Sequence, residues 1–164
     1  MTYRKKLFYL VCLVLMLVSC TSKEYDKQES VFIVFKTPTF KYADLGFMYQ
    51  NSDEVKIEIY GSGQALMSLE VTQSHVCMSL LECMNNDSFN AHVLSPWYPR
   101  EILEDIFRAQ PIFKGMGLAK NSNGFTQKIE EGFKYNIRYT VFNKDIIFHD
   151  KINKIVIKMK RVGS

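Results

Sequence analysis

Apolar and polar residues alternate along this chain with two different periods, and the change of period divides it into parts. Val31 to Phe35 is a wholly apolar run. Leu45, Phe47 and Tyr49 alternate with Gly46, Met48 and Gln50, and Val55, Ile57 and Ile59 alternate with Lys56 and Glu58. Ala65, Met67, Leu69 and Val71 form a further apolar row against Gln64, Ser68 and Glu70. A period of two predicts strands with one buried face. Asn51-Ser52-Asp53 and Gly61-Ser62-Gly63 break the pattern as hairpin turns do.

The period changes after Ser95-Pro96. Pro99 is placed to open a helix, and Glu101 and Glu104 sit in its early turns, where the helix dipole favours them. Ile102, Leu103, Ile106 and Phe107 fall on one stripe, with Glu101, Glu104, Asp105 and Arg108 opposite. This predicts a helix over Pro99–Ala109, ended by Pro111, then a short apolar turn or second helical piece over Ile112–Leu118. Strand periodicity returns in Phe133, Tyr135, Ile137, Tyr139 and Val141, and again in Ile155, Ile157 and Met159. The expected class is mainly β with α: a single curved antiparallel sheet, with an inserted amphipathic helix covering its concave side.

The first residues read as an address rather than as part of this domain. Arg4, Lys5 and Lys6 precede a continuous apolar stretch from Leu7 to Val18. Twelve residues are too few to span a ~30 Å hydrocarbon core, but they suit a signal-peptide core. The stretch ends in Leu17-Val18-Ser19-Cys20, which resembles the lipobox of bacterial lipoproteins. The resemblance implies residues 1–19 as a lipoprotein signal peptide and Cys20 as the lipidation site, its sulfur diacylglycerylated and its new amino group acylated after cleavage. Several acyl chains on one residue anchor stably where one is marginal. Residue Thr21 rather than aspartate after the cysteine implies delivery to the cell outer membrane, facing the periplasm. Residues 20–30 are then the lipidated cysteine and a polar tether, and 31–162 the folded domain.

Composition and charge narrow the function. The 164 residues are 47% hydrophobic and 23% charged, ordinary for one globular domain. The formal charge is +4, but without Arg4, Lys5 and Lys6 the 21 basic residues fall to 18 against 17 acidic ones. That balance argues against nucleic acid as a partner, which calls for a dominant basic surface. In an oxidising periplasm Cys77 and Cys83 either form a disulfide or remain two buried thiols. His75, His92 and His149 are scattered without metal-ligand spacing, so no metal site and no cofactor are expected. No nucleophile elbow is present, and Glu130-Glu131 precedes a turn at Gly132 without the apolar setting that raises a carboxyl's pKa. The chain is therefore not expected to be an enzyme, and no catalytic residue is assigned.

The order of features from Val31 to Val162 resembles the LolA/LolB-type lipoprotein carriers, above all their outer-membrane receptor branch. Tyr49-Gln50 and Val55–Ile59 resemble the early strand pair of that family. Gly61-Ser62-Gly63 stands at its protruding turn, Ser95–Phe107 at its lid helix, and Gly132-Phe133, Ile137, Tyr139 and Ile155–Lys160 at its late strands. The resemblance implies an open half-barrel with a lid helix over an apolar cavity, binding acyl chains in lipoprotein reception or insertion. It implies other lipoproteins or a periplasmic carrier as partners, beside the membrane lipid reached through Cys20. Two departures stand out: Ser62 replaces the leucine of the protruding turn that meets the membrane, and the tryptophan after the lid helix is missing.

Shielding acyl chains needs a water-poor cavity with adaptable apolar walls, which Phe, Tyr and unbranched Met supply. Phe47, Ile57, Leu69, Ile102, Ile106, Phe107 and Tyr139 are the candidate cavity lining, and Gly61, Ser62 and Gly63 the candidate membrane-facing turn. The same apolar residues would equally fill an ordinary core. The alternative is a non-catalytic envelope scaffold that binds another component through its sheet edge or helix.

Overall fold

A computed structural model describes residues 23–79 and 81–163. Eleven strands make one antiparallel sheet: β1 (Lys27–Lys36), β2 (Lys41–Gln50), β3 (Glu54–Gly61), β4 (Gln64–Thr72), β5 (His75–Met78), β6 (Leu81–Asn85), β7 (Leu118–Asn121), β8 (Gly124–Glu131), β9 (Tyr135–Phe142), β10 (Asp145–Asp150) and β11 (Ile155–Arg161). Two α-helices, α1 (Asn86–Val93) and α2 (Ile102–Phe107), stand between β6 and β7, followed by a 3-10 turn at Phe113–Gly115. The sheet order is β6-β5-β4-β3-β2-β1-β11-β10-β9-β8-β7. Every neighbour pair is a hairpin except β1–β11, which joins the two ends of the chain at the centre. β6 and β7 are left as edges, so the sheet is not closed into a barrel.

α2 packs against both β4 and β10, which lie five places apart in the sheet. At ~4.8 Å per strand a flat sheet would separate them by roughly 24 Å, well beyond the ~10 Å width of a helix. A curved sheet meets both contacts and a flat one does not. The inner face is apolar from strand to strand: Ile33 of β1, Met48 of β2, Ile57 of β3, Leu69 of β4, Ile137 of β9 and Ile157 of β11 are all buried.

The strand rows read from alternation fall in β1 to β4, β9 and β11; β2 turns the opposite row inward, and the starts of β1 and β9 and the bounds of the helix differ. β1 begins at Lys27, because Lys27–Ser30 continue its pairing with Tyr49–Gln50 and their neighbours. β9 begins at Tyr135, and Phe133 lies in the β8–β9 turn, 77% exposed. The expected helix over Pro99–Ala109 shortens to Ile102–Phe107. Pro99 and Arg100 form a turn closed by the Ile102 N–H to the Pro99 carbonyl, and Ala109 takes a left-handed φ of 56° that ends the helix. At Gly61-Ser62-Gly63, Ser62 (φ 53°) and Gly63 (φ 79°) both have positive φ, the geometry that two-residue hairpins need.

Cys77 and Cys83 form a disulfide between β5 and β6, with Cα atoms 4.1 Å apart. Cys83 is exposed and Cys77 half-buried. Their neighbours Val76 and Met78 take the inward positions, so the bridge lies on the outer face.

Candidate functional site

The inner face of the sheet and the apolar stripe of α2 that packs against it form the candidate site. Ile57, Leu69, Ile102, Ile106, Phe107 and Tyr139, six of the seven residues expected to line a cavity, meet there, and each is at most 1% exposed. Phe107 lies 6.5 Å from the Phe35 ring, and the Tyr139 hydroxyl donates to the Ile106 carbonyl at 3.4 Å. Phe47 does not belong to this group. Inward positions on β2 are Gly46 and Met48, set by pairing of Gly46 with Val31 and Met48 with Ile57. Phe47 therefore points outward, edge-on to Tyr60 at 5.8 Å. A one-residue error in parity moves a whole strand's side chains to the other face. Gly61, Ser62 and Gly63 form the β3–β4 turn, with Ser62 and Gly63 exposed. Cys20 lies outside the described residues.

α2 is pinned on both flanks by buried polar side chains. On its N-terminal side the fully buried Asp150 carboxylate accepts from the Tyr98 hydroxyl at 2.6 Å, the Asn153 amide at 2.6 Å and the Asn136 N–H at 3.1 Å. Burial, and then the Asp150 contact, pushes the Tyr98 phenol far above its usual range. Asn90 of α1 donates to the Pro99 carbonyl at 3.0 Å. On the C-terminal side Gln127 of β8, also fully buried, accepts from the Ile112 N–H at 2.9 Å and donates to the Ile112 and Met116 carbonyls at 2.9 and 2.8 Å. The end of α2 is latched to the β2–β3 turn. Arg108 donates to the Asn51 carbonyl at 2.9 Å and pairs with Glu104 at 2.8 Å, and Gln50 donates to the Phe107 carbonyl at 3.3 Å.

Sequence periodicity missed Asp150 and Gln127, yet each occupies the inward parity of its strand. Asp150 follows Ile146 and Phe148, and Gln127 stands between Phe125 and Ile129. A polar residue in a buried row must find partners, and that was the signal available.

Two clefts lie beside this face. One, of about 280 Å³, is apolar, lined by Thr39, Phe40, Met84, His92 and Val93. The other, of about 360 Å³, includes Phe125 and Val141 with Lys27, Arg108, Lys144 and Arg161. Glu29 offsets part of that charge, pairing with Lys27 at 2.6 Å and Arg161 at 3.0 Å.

Asp105 of α2 is half-buried. Burial, reinforced by the neighbouring Glu101 and Glu104 carboxylates, pushes its carboxyl up to about 6. In the unfolded chain an Asp titrates near ~3.9, so between about pH 4 and 6 the folded state binds more protons. Asp105 therefore stabilises the fold in acid, and that contribution is lost as pH rises through about 6. Asp105→Asn is expected to be more stable than wild type at pH 7 and to flatten the loss between pH 4 and 7. Urea melts across that range check this; an unchanged slope would contradict it.

No family model matches this chain, and no curated protein sequence matches it.

Proposed function

We propose that this chain is a membrane-anchored, non-catalytic lipoprotein that binds acyl chains on the inner face of an open half-barrel, with α2 as its lid. The resemblance to the LolA/LolB-type carriers supports a role in lipoprotein reception or insertion at the outer membrane, with Cys20 as the anchor. Other lipoproteins or a periplasmic carrier are the partners in this reading.

The observation that carries it is the way α2 is held. Its flanks are fixed by Asp150 and Gln127, whereas the six-residue helix itself meets the sheet through an apolar stripe and a few hydrogen bonds near its C-terminal end. Releasing the Arg108 latch lets the helix swing about its fixed flanks. Ile57, Leu69 and Tyr139 then offer an apolar wall to an acyl chain. Such a wall makes no directional demands, which suits variable chains.

The filled interior favours a second reading, an envelope scaffold whose covered face never opens. Ile102, Ile106 and Phe107 occupy the space an acyl chain would take. Native mass spectrometry of the chain from Thr21, which retains every described element, separates the two. Co-purified acyl lipid or acyl peptide is expected. The polypeptide mass alone, after expression in lipid-rich cells, would support the scaffold.

A further inference from the structure

We propose that the outer face of β1 to β4 rests on the lipid bilayer, a placement that depends on Cys20 being the acylated residue. Lys23 is the third residue after Cys20, and three residues reach at most roughly 10 Å. Residues 23–26 lie against the sheet at its β2–β3-turn end, where the Asn51 amide donates to the Glu24 carbonyl at 3.0 Å. The Lys23 ammonium meets Glu54 at 2.7 Å and Glu70 at 3.1 Å, and the Tyr25 hydroxyl donates to Glu54 at 2.6 Å. Burial alone would raise the Glu54 carboxyl, but the Lys23 and Tyr25 hydrogen bonds outweigh it and hold it below its usual range. Glu54 and Glu70 alternate with the inward Val55, Leu69 and Val71, so this segment crosses the outer face. An acylated Cys20 therefore brings the headgroups to within roughly 10 Å of Lys23 on that face.

What the face presents from there toward the β3–β4 turn suits a bilayer interface. Starting at the tether, Tyr25, Tyr49, Phe47 and Tyr60 form a continuous run of rings with centroids 5.3, 6.3 and 5.8 Å apart. A groove of about 280 Å³ beside them is lined by Leu45, Phe47, Tyr60 and Val162. Leu45 is 54% exposed, and Leu66, against Gly61, is 48% exposed. Outward strand positions are ordinarily polar, and a contiguous apolar surface marks an interaction site. Phe32 extends the patch, with Lys160 directly opposite it and Lys158 opposite Val34 on β11. Glu58, directly opposite Phe47, is taken up by Lys56 at 2.7 Å and by the Tyr60 hydroxyl at 3.0 Å. The aromatic rings and leucines, with Lys158 and Lys160 on their rim, match the headgroup boundary of an anionic bilayer.

The test uses the lipidated full chain in vesicles of phosphatidylethanolamine and phosphatidylglycerol carrying a photoactivatable diazirine lipid. Adducts are expected on the outward Leu45, Phe47, Tyr60 and Leu66, not on the alternating inward Met48 and Ile59. Leu45→Glu with Leu66→Glu, both at exposed positions, is expected to lower their yield at least fivefold while palmitate labelling is unchanged. Adducts concentrated elsewhere, or an outer face left unlabelled because a protein partner or a second copy covers it, would overturn the placement with the anchor intact. Loss of palmitate in Cys20→Ser confirms the anchor. Palmitate labelling that persists in that variant would instead remove the anchor reading, and the placement with it.

Discussion

Replacing Asp150 by alanine is expected to destabilise the fold by at least about 3 kcal/mol. The carboxylate is fully buried and accepts from the Tyr98 hydroxyl, the Asn153 side chain and the N–H groups of Asn136, Ile152 and Asn153. Each buried donor left unpaired costs ~1–3 kcal/mol, and hydrogen bonds to a charged acceptor are the stronger kind. Asp150→Asn keeps the acceptor oxygen and is expected to lose less. Tyr98→Phe removes a single donor and is expected to lose the least. Guanidinium melts of the three variants check the order. An Asp150→Ala loss below about 1 kcal/mol would mean that the Ser95–Tyr98 segment is not held from this side.

Asp150 also shows what alternation left unread. Rows with apolar residues at every second position, such as Ile155, Ile157 and Met159, marked their strands in the sequence. β8 and β10 did not stand out, because each places a polar residue, Gln127 or Asp150, in its inward row. α1 was hidden for a similar reason. Its buried stripe is Asn86, Phe89, Asn90 and Val93, half of it polar, so no apolar helical period shows. Its start was written in local chemistry, since the Asn85 side chain caps it by accepting from the Ser88 N–H at 2.8 Å. On β2 both parities hold large apolar residues, Phe47 outward and Met48 inward, and only pairing with β1 and β3 decides between them. The apolar stripe of α2 was fully legible, and the polar groups fixing its flanks were not, because their partners lie far along the chain.

The second large effect is expected at Phe107, where stability and binding should move in opposite directions. The ring is 1% exposed and packs toward Phe35. Truncation in a packed interior of this kind costs ~3–5 kcal/mol, and Phe107→Ala is expected to lose that much in denaturant melts. In the lid reading those contacts belong to the closed state alone. Destabilising the closed state raises the fraction that is open, and apparent affinity rises with that fraction. A closed state weakened by about 3 kcal/mol allows a gain of up to roughly a hundredfold in acyl-chain affinity. A scaffold with a permanently filled core shares the loss of stability and has no affinity to gain.

Titration of the chain from Thr21 with a fluorescent fatty acid, wild type beside Phe107→Ala, tests the central claim most directly. The acyl-binding account predicts saturable binding that an unlabelled fatty acid displaces, tighter in Phe107→Ala than in wild type. No saturable binding in either protein, with Phe107→Ala still folded at the assay temperature, would contradict it.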